Sequence, residues 1–412
     1  MRTLLNPICD VVYEIFKYLT GNDIIKYLNI ITINTEHREE YDKLISEIKI
    51  FEQDFDTRLI AHLSNLTTLK YLNLSRSYLT DWHNYHIHMT LISRMSNLEY
   101  LNLDRCHDLK EIDIINLDYL TRLTYLNLRL LEREKFNTTV VTWVLSKNFS
   151  KSLKHLCLDN HTITTEGMNH ICSLSQLTYL DLSYCTFDVF GFNRSEEKWY
   201  KFSDRYLNML DEFKLYNVTN LKLVCTPIYK NSFNKWLSKF KNLKYLDVRH
   251  CDTIESFYEI IPQIEHLIFG CCEFFSISKI NSLYNLQKLE IENYKLNDGD
   301  TELISNLTKL QELRISNTIF NTNQISNILH KMSNLISLNL KYTNINDIDL
   351  KCIGMLTNLE ELNLSNCVQI TDLSYLISLT NLQRLNLNFC TSLKDNLNII
   401  TQLTNLHIVC LN

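Results

Sequence analysis

One nine-residue pattern, L-x-x-L-x-L-x-x-(N/C/T/S), recurs along this chain and limits its fold more than any other feature. Clear copies are Leu359-Glu-Glu-Leu362-Asn-Leu364-Ser-Asn-Cys367 and Leu382-Gln-Arg-Leu385-Asn-Leu387-Asn-Phe-Cys390. Others start at Leu69, Leu98, Leu123, Leu153, Leu177, Val218, Leu243, Ile264, Leu286, Leu310, Leu335 and Leu406, making fourteen in all. Successive starts lie 21 to 30 residues apart, except for one interval of 41 between Leu177 and Val218. Strand side chains alternate with period two, so the pattern puts its leucines on one face of a short strand. One such strand cannot bury that face alone. Stacked neighbours share a continuous core, and their strands form a parallel sheet.

The expected fold is therefore an α/β solenoid over residues 46–412, a horseshoe of about 14 repeats lined by a parallel concave sheet. At about 4.8 Å per strand step, thirteen steps give a concave face roughly 60 Å long. The return segments carry a second apolar set, as in Ile370-Thr-Asp372-Leu373-x-x-Leu376-x-x-Leu379. That spacing predicts a helical turn or short helix on the convex side. The units resemble leucine-rich repeats, and the Cys-x-x-Ile-Thr-Asp run at 367–372 is similar to their cysteine-containing subclass.

Composition follows the repeat. Of 412 residues, 69 are Leu and 45 are Asn, whereas Gly and Pro number only 6 and 3. The shortage argues against sandwiches and barrels built on tight Gly/Pro turns. The charge of −6 comes with no basic block, which speaks against nucleic-acid or anionic-membrane binding. No stretch reaches about 18 apolar residues, so no membrane span is expected. The thirteen cysteines are odd in number and include no C-x-x-C pair, which predicts reduced thiols and an intracellular protein. Six of them, Cys106, Cys185, Cys251, Cys272, Cys367 and Cys390, fall at the ninth motif position, where a small buried side chain fits; a structural role is expected.

Residues 1–45 lack the repeat. Ile8, Val11, Val12, Ile15, Phe16 and Leu19 form an apolar stripe at helical spacing, and Asp23 is placed to cap a second helix at Ile24-Ile25. Such a segment is either a cap on the first repeat or a docking module. Pro7 to Leu19 followed by Asp23-Ile24-Ile25 resembles an F-box: Glu14-Ile15-Phe16-x-Tyr18-Leu19 and Asp23-Ile24-Ile25 match in register. Pro7 lies one residue early, and the family's downstream Cys-x-x-Trp is absent. The combination is similar to F-box/leucine-rich-repeat proteins, including divergent ones of large DNA viruses. The resemblance implies a non-catalytic, substrate-recognition subunit of a cullin-based ubiquitin ligase, needing no cofactor and no metal. It implies a Skp-type adaptor as one partner, contacted by Ile8, Val12, Ile15, Leu19, Ile24 and Ile25, and a protein substrate as the other. It places the protein in the cytoplasm, of a host cell if viral, with the nucleus also open. The alternatives are a leucine-rich-repeat scaffold without ligase role and an inhibitor-like horseshoe.

Motif positions three, five and seven face away from the leucine core. Position three reads Tyr71, Tyr100, Tyr125, His155 and Tyr179 in the first five repeats, then Tyr245 and His266 in the seventh and eighth. These seven are the candidate substrate contacts, since tyrosine offers rigid amphipathic area. The bland counterpart is a ladder that only stiffens the sheet. The long interval, 186–217, is a second candidate surface, although Trp199, Phe202, Tyr206, Leu210 and Phe213 have a spacing that suits packing against the flank. Asp81, His83, His86 and His88 have zinc-ligand chemistry but no second ligand cluster nearby, so no metal site is expected.

Overall fold

The computed structural model describes residues 47–49, 54, 55, 57–66, 68–79, 85–106, 117, 119–129, 152–188, 213–226, 230–251, 261–272, 276–393 and 397–411. The chain divides into two compact units, Met1–Leu221 and Lys222–Asn412. The segment 1–45, with its six expected adaptor contacts, lies outside the described residues.

In the first unit, strands Glu47–Lys49, Tyr71–Asn73, Tyr100–Asn102, Tyr125–Asn127, His155–Cys157 and Tyr179–Asp181 pair in parallel, each with the next in chain order. In the second, the strands from Tyr245–Asp247 through His266–Gly270, Lys288–Glu292, Glu312–Ser316, Ser337–Asn339, Glu361–Asn363 and Arg384–Asn386 to Ile408–Cys410 do the same. Strand Asn220–Lys222 spans the division. The expected parallel sheet is thus present at every motif copy. Glu47–Lys49 adds a strand ahead of the first copy, pairing Ile48 with Leu72. The motif search missed it because Ile45-x-x-Ile48-x-Ile50 carries isoleucine throughout and no position-nine signature.

The position-four side chains stack in register, Leu72 on Leu101 on Leu126 in one unit and Leu338 on Leu362 on Leu385 in the other. All are at most 2% exposed, and burial of each contributes about 2 kcal/mol. The return segments hold the expected short helices, including Thr165–Ser173, Lys230–Leu237, Asp298–Ser305 and Asp347–Ile353, and helical turns such as Ser374–Ser378.

Asparagine does three jobs in this architecture. At position five, the Oδ1 of Asn73, Asn102, Asn127, Asn339, Asn363 and Asn386 accepts from the backbone N–H two residues on, turning the chain out of the strand. Just before the strand, Nδ2 of Asn334, Asn358, Asn381 and Asn405 donates to a carbonyl of the preceding repeat at 2.7–2.9 Å. At helix starts, Asn297 and Asn346 form capping boxes with Asp300 and Asp349.

Position eight is left-handed in repeat after repeat. Arg76, Arg105, Asn160, Tyr184, Cys225, His250, Cys271, Asn293, Asn317, Tyr342, Asn366 and Phe389 all have φ between 48° and 70°. Each such non-glycine residue costs on the order of 1 kcal/mol. The turn aims its N–H at the position-seven carbonyl of the next repeat, as in Arg76 to Asp104 at 2.7 Å and Asn366 to Asn388 at 2.8 Å. Those bonds offset the strain. Gly270 is different: its φ is 153°, and a Cβ there would strike the carbonyl of Glu292 in the adjacent strand.

The position-nine cysteines are structural as expected. Cys106, Cys185, Cys251, Cys367 and Cys390 are buried, and each thiol donates to the position-six carbonyl of the preceding repeat at 2.9–3.1 Å. Burial raises all five thiols, Cys106 to about 12 and Cys390 to about 11, so they stay protonated. His161 occupies the same place in the fourth repeat and makes the same bond, Nε2 to the Leu128 carbonyl at 2.8 Å. Burial pushes its pKa down from 6.5 to about 4, against the pull of that carbonyl. The unfolded chain therefore binds a proton that the folded chain refuses as pH falls from 6.5 towards 4, and stability is lost across that window. Replacing His161 with Cys removes this loss. In urea titrations the variant should gain on the wild type by roughly 1 kcal/mol per pH unit below 6.5. A pH-independent difference would contradict this account.

Candidate functional site

In the first unit, position three forms one continuous stack. Ring centroids of Tyr71 and Tyr100 lie 3.9 Å apart, Tyr100 and Tyr125 4.0 Å, Tyr125 and His155 4.2 Å, and His155 and Tyr179 3.8 Å, with interplanar angles of 6–21°. Parallel in-register strands set this spacing. The rings are half-buried: their faces cover one another and one edge of each meets solvent. Burial raises the Tyr100 hydroxyl to about 12 and also raises Tyr125. Asn102 and Asn127, whose Oδ1 atoms are held by the backbone, direct hydrogen bonds at the hydroxyls of Tyr100 and Tyr125. Beside this column, at position seven, Arg129 bridges Asp159 at 3.3 Å and Asp104 at 3.9 Å. Burial lifts Asp159 to about 6 although Arg129 opposes it.

The second unit is built differently. Tyr245 and His266 meet edge to face at 4.6 Å and do not stack. Beyond them, positions three and five carry ion pairs. Glu290 takes His266 at 3.3 Å, Lys288 at 3.3 Å and Arg314 at 3.0 Å, while Lys288 also reaches Glu312 at 2.9 Å. Burial would raise Glu290, but these three partners outweigh it and hold the carboxyl down to about 2. Arg384 pairs with Glu361. Arg249 grips the buried Asp247 with two hydrogen bonds, at 3.0 and 2.8 Å. A cavity of about 290 Å³ lies over the strands of repeats nine to fourteen, from Lys288 to Cys410. The cavity left no mark in the sequence, because a concavity depends on how strands stack and not on residue type.

Of the seven expected contacts, the structure thus brings Tyr71, Tyr100, Tyr125, His155 and Tyr179 together and sets Tyr245 and His266 apart from them in the second unit. Of the long interval, 189–212 lies outside the described residues. At its margins, Thr186–Asp188 pairs with Thr162–Thr164, and the buried Phe213 meets Tyr216 edge-on at 5.8 Å. Asp81 and His83 also lie outside the described residues, and the helix Tyr85–Ile92 carries His86 and His88. Among the described residues, no three His, Cys, Asp or Glu side chains converge as metal ligands do.

No protein-family model and no curated protein matches this sequence. Solved structures do match. A leucine-rich-repeat protein of Leptospira interrogans aligns at 18% identity over 90% of this chain and 91% of its own, with a TM-score of 0.52. The internalin InlF of Listeria monocytogenes aligns at 20% identity over 84% and 88%, with a TM-score of 0.46. The InlJ functional domain of the same species, described as including a cysteine ladder, aligns at 18% identity over 79% and 60%, with a TM-score of 0.43. The fold is that of a leucine-rich-repeat protein.

Stacking makes a testable demand. Tyr100 has a ring on each side, Tyr71 at 3.9 Å and Tyr125 at 4.0 Å. Each stacked pair is worth about 1 kcal/mol beyond buried area. By urea denaturation, a double-mutant cycle on Tyr71→Leu and Tyr100→Leu should show a coupling of about 1 kcal/mol; additive losses would show that the rings do not act as a column.

Proposed function

We propose that the protein is a non-catalytic recognition subunit of a cullin-based ubiquitin ligase, holding a protein substrate on its repeats and a Skp-type adaptor on its N-terminal segment. The observation that carries the recognition half is the five-ring stack from Tyr71 to Tyr179. It presents a row of aromatic edges about 4 Å apart, already fixed in place, so a partner binding there loses little freedom in ordering them. Tyrosine hydroxyls along the same row supply polar contacts. Support for the adaptor half is the in-register match of Glu14-Ile15-Phe16-x-Tyr18-Leu19 and Asp23-Ile24-Ile25 to the F-box pattern. In this reading Ile8, Val12, Ile15, Leu19, Ile24 and Ile25 enter the adaptor's apolar groove. No described helix is long and apolar enough to cross a membrane.

The test uses the full chain and a purified Skp-type adaptor. Wild type should capture the adaptor, and Ile15→Asp with Leu19→Asp should abolish capture while leaving the circular dichroism of the solenoid unchanged. Tyr71→Ala with Tyr125→Ala should keep the adaptor and lose the substrate. Failure of the wild type to bind any Skp-type adaptor would sink the ligase role and leave a leucine-rich-repeat scaffold.

A further inference from the structure

At one edge of the second unit's sheet, strand Ile408–Cys410 pairs with Arg384–Asn386 on one side and, among the described residues, with no strand on the other. The neighbouring repeat shows what that open side lacks. The position-two carbonyl of Gln383 accepts from the N–H groups of His407 and Ile408, and the position-six N–H of Leu387 donates to the Cys410 carbonyl. The equivalent groups one repeat on are the His407 carbonyl and the Leu411 N–H, and neither makes such a bond among the described residues. Backbone groups alternate sides along a strand, so Val409 turns its N–H and C=O to the same open edge. The core positions are open too. Leu382, Leu385 and Leu387 are at most 2% exposed, whereas their counterparts Leu406 and Val409 are only half-buried and Leu411 is 43% exposed.

We propose that this edge docks a second copy of the same chain, the two edges joining as antiparallel strands about a two-fold axis at Val409. Three observations favour a second copy. First, the open backbone groups are complementary to their own image. With Val409 opposite Val409, residue 407 faces residue 411 of the other copy, so each His407 carbonyl meets a Leu411 N–H. The two Val409 residues exchange both of their bonds, as a hydrogen-bonded antiparallel pair does. Second, residues 396–412 contain no Lys, Arg, Asp or Glu, in a chain that is 21% charged with a net charge of −6. A surface that meets its own image sets like charges against each other, and no charged side chain is there to do so. A partner chosen by its charge would find nothing complementary on this edge. Third, the strand lacks the devices that keep sheet edges apart, having neither lysine nor proline nor an inward-pointing charge. The inference rests on neither the ring stack nor the ligase reading.

Sedimentation equilibrium of the full chain over a range of concentrations tests it. Wild type should pass from monomer to dimer. Leu411→Pro removes an N–H that serves only the other copy, so the fold should hold. Ile408→Lys places a charge beside its own image, at a side chain that is 51% exposed. Each should raise the dimer dissociation constant at least about tenfold, with circular dichroism unchanged. Cys410 identifies the interface. Pairing at Val409 sets the two Cys410 side chains on one sheet face, about 8 Å apart, within reach of a short bismaleimide. The cross-linked dimer should form with wild type and not with Cys410→Ser. A monomer at every concentration, or a dimer that neither substitution weakens and that Cys410 does not cross-link, would overturn the proposal.

Discussion

The constraint on which everything else depends is that no repeat can bury its own leucines. Leu338 is covered because Leu313 and Leu362 lie on either side of it, and this holds along each sheet. A stack of that kind fails wherever two neighbours slip in register. Hydrogen bonds between repeats prevent slippage at three levels. Asparagine amides tie one strand entrance to the previous repeat, position-nine thiols or His161 tie the inner turn, and position-eight N–H groups tie the strand exit to the next repeat. The third level requires left-handed backbone at residues such as Arg105, Tyr342 and Phe389, which is why the strain recurs instead of being designed out.

With the core side so uniform, the two units differ in what positions three and five display. In-register strands about 4.8 Å apart suit flat rings, which stack face to face, and they suit opposite charges, which pair across neighbours. The first unit takes the former solution, from Tyr71 to Tyr179, and the second the latter, around Glu290. The choice decides what the surface offers. Stacked tyrosines take the asparagine amides beneath them, whereas the asparagines of the later repeats lie beside Ser337, Glu361 and Arg384. One repeat therefore yields an aromatic edge in one unit and an ion-paired surface in the other.

Much of this was legible in the sequence. The L-x-x-L-x-L spacing predicts the parallel strands at each of its fourteen copies, and the ninth-position cysteines are buried as their motif place suggests. The ring column follows from four tyrosines and a histidine recurring at position three. Other features left no readable mark. The strand at Glu47–Lys49 escaped because isoleucine replaced leucine. Position eight escaped because Arg, Tyr, His, Cys, Phe and Asn share no chemistry; only the backbone there is common. His161 reads as an isolated histidine until its bond to Leu128 shows it doing a cysteine's work. Asn339, Asn363 and Asn386 look in sequence like Asn102 and Asn127, and only the neighbour at position three separates them.

The central claim is that recognition takes place on the sheet face carried by position three, and hydroxyl-radical footprinting of the full chain, free and with its captured protein partner, tests it most directly. The account predicts that Tyr71, Tyr100 and Tyr125 lose reactivity on binding while Tyr216 and Tyr284, exposed on return segments, keep theirs. Protection confined to Tyr216, Tyr284 and other return-segment residues, with the ring column unchanged, would contradict it.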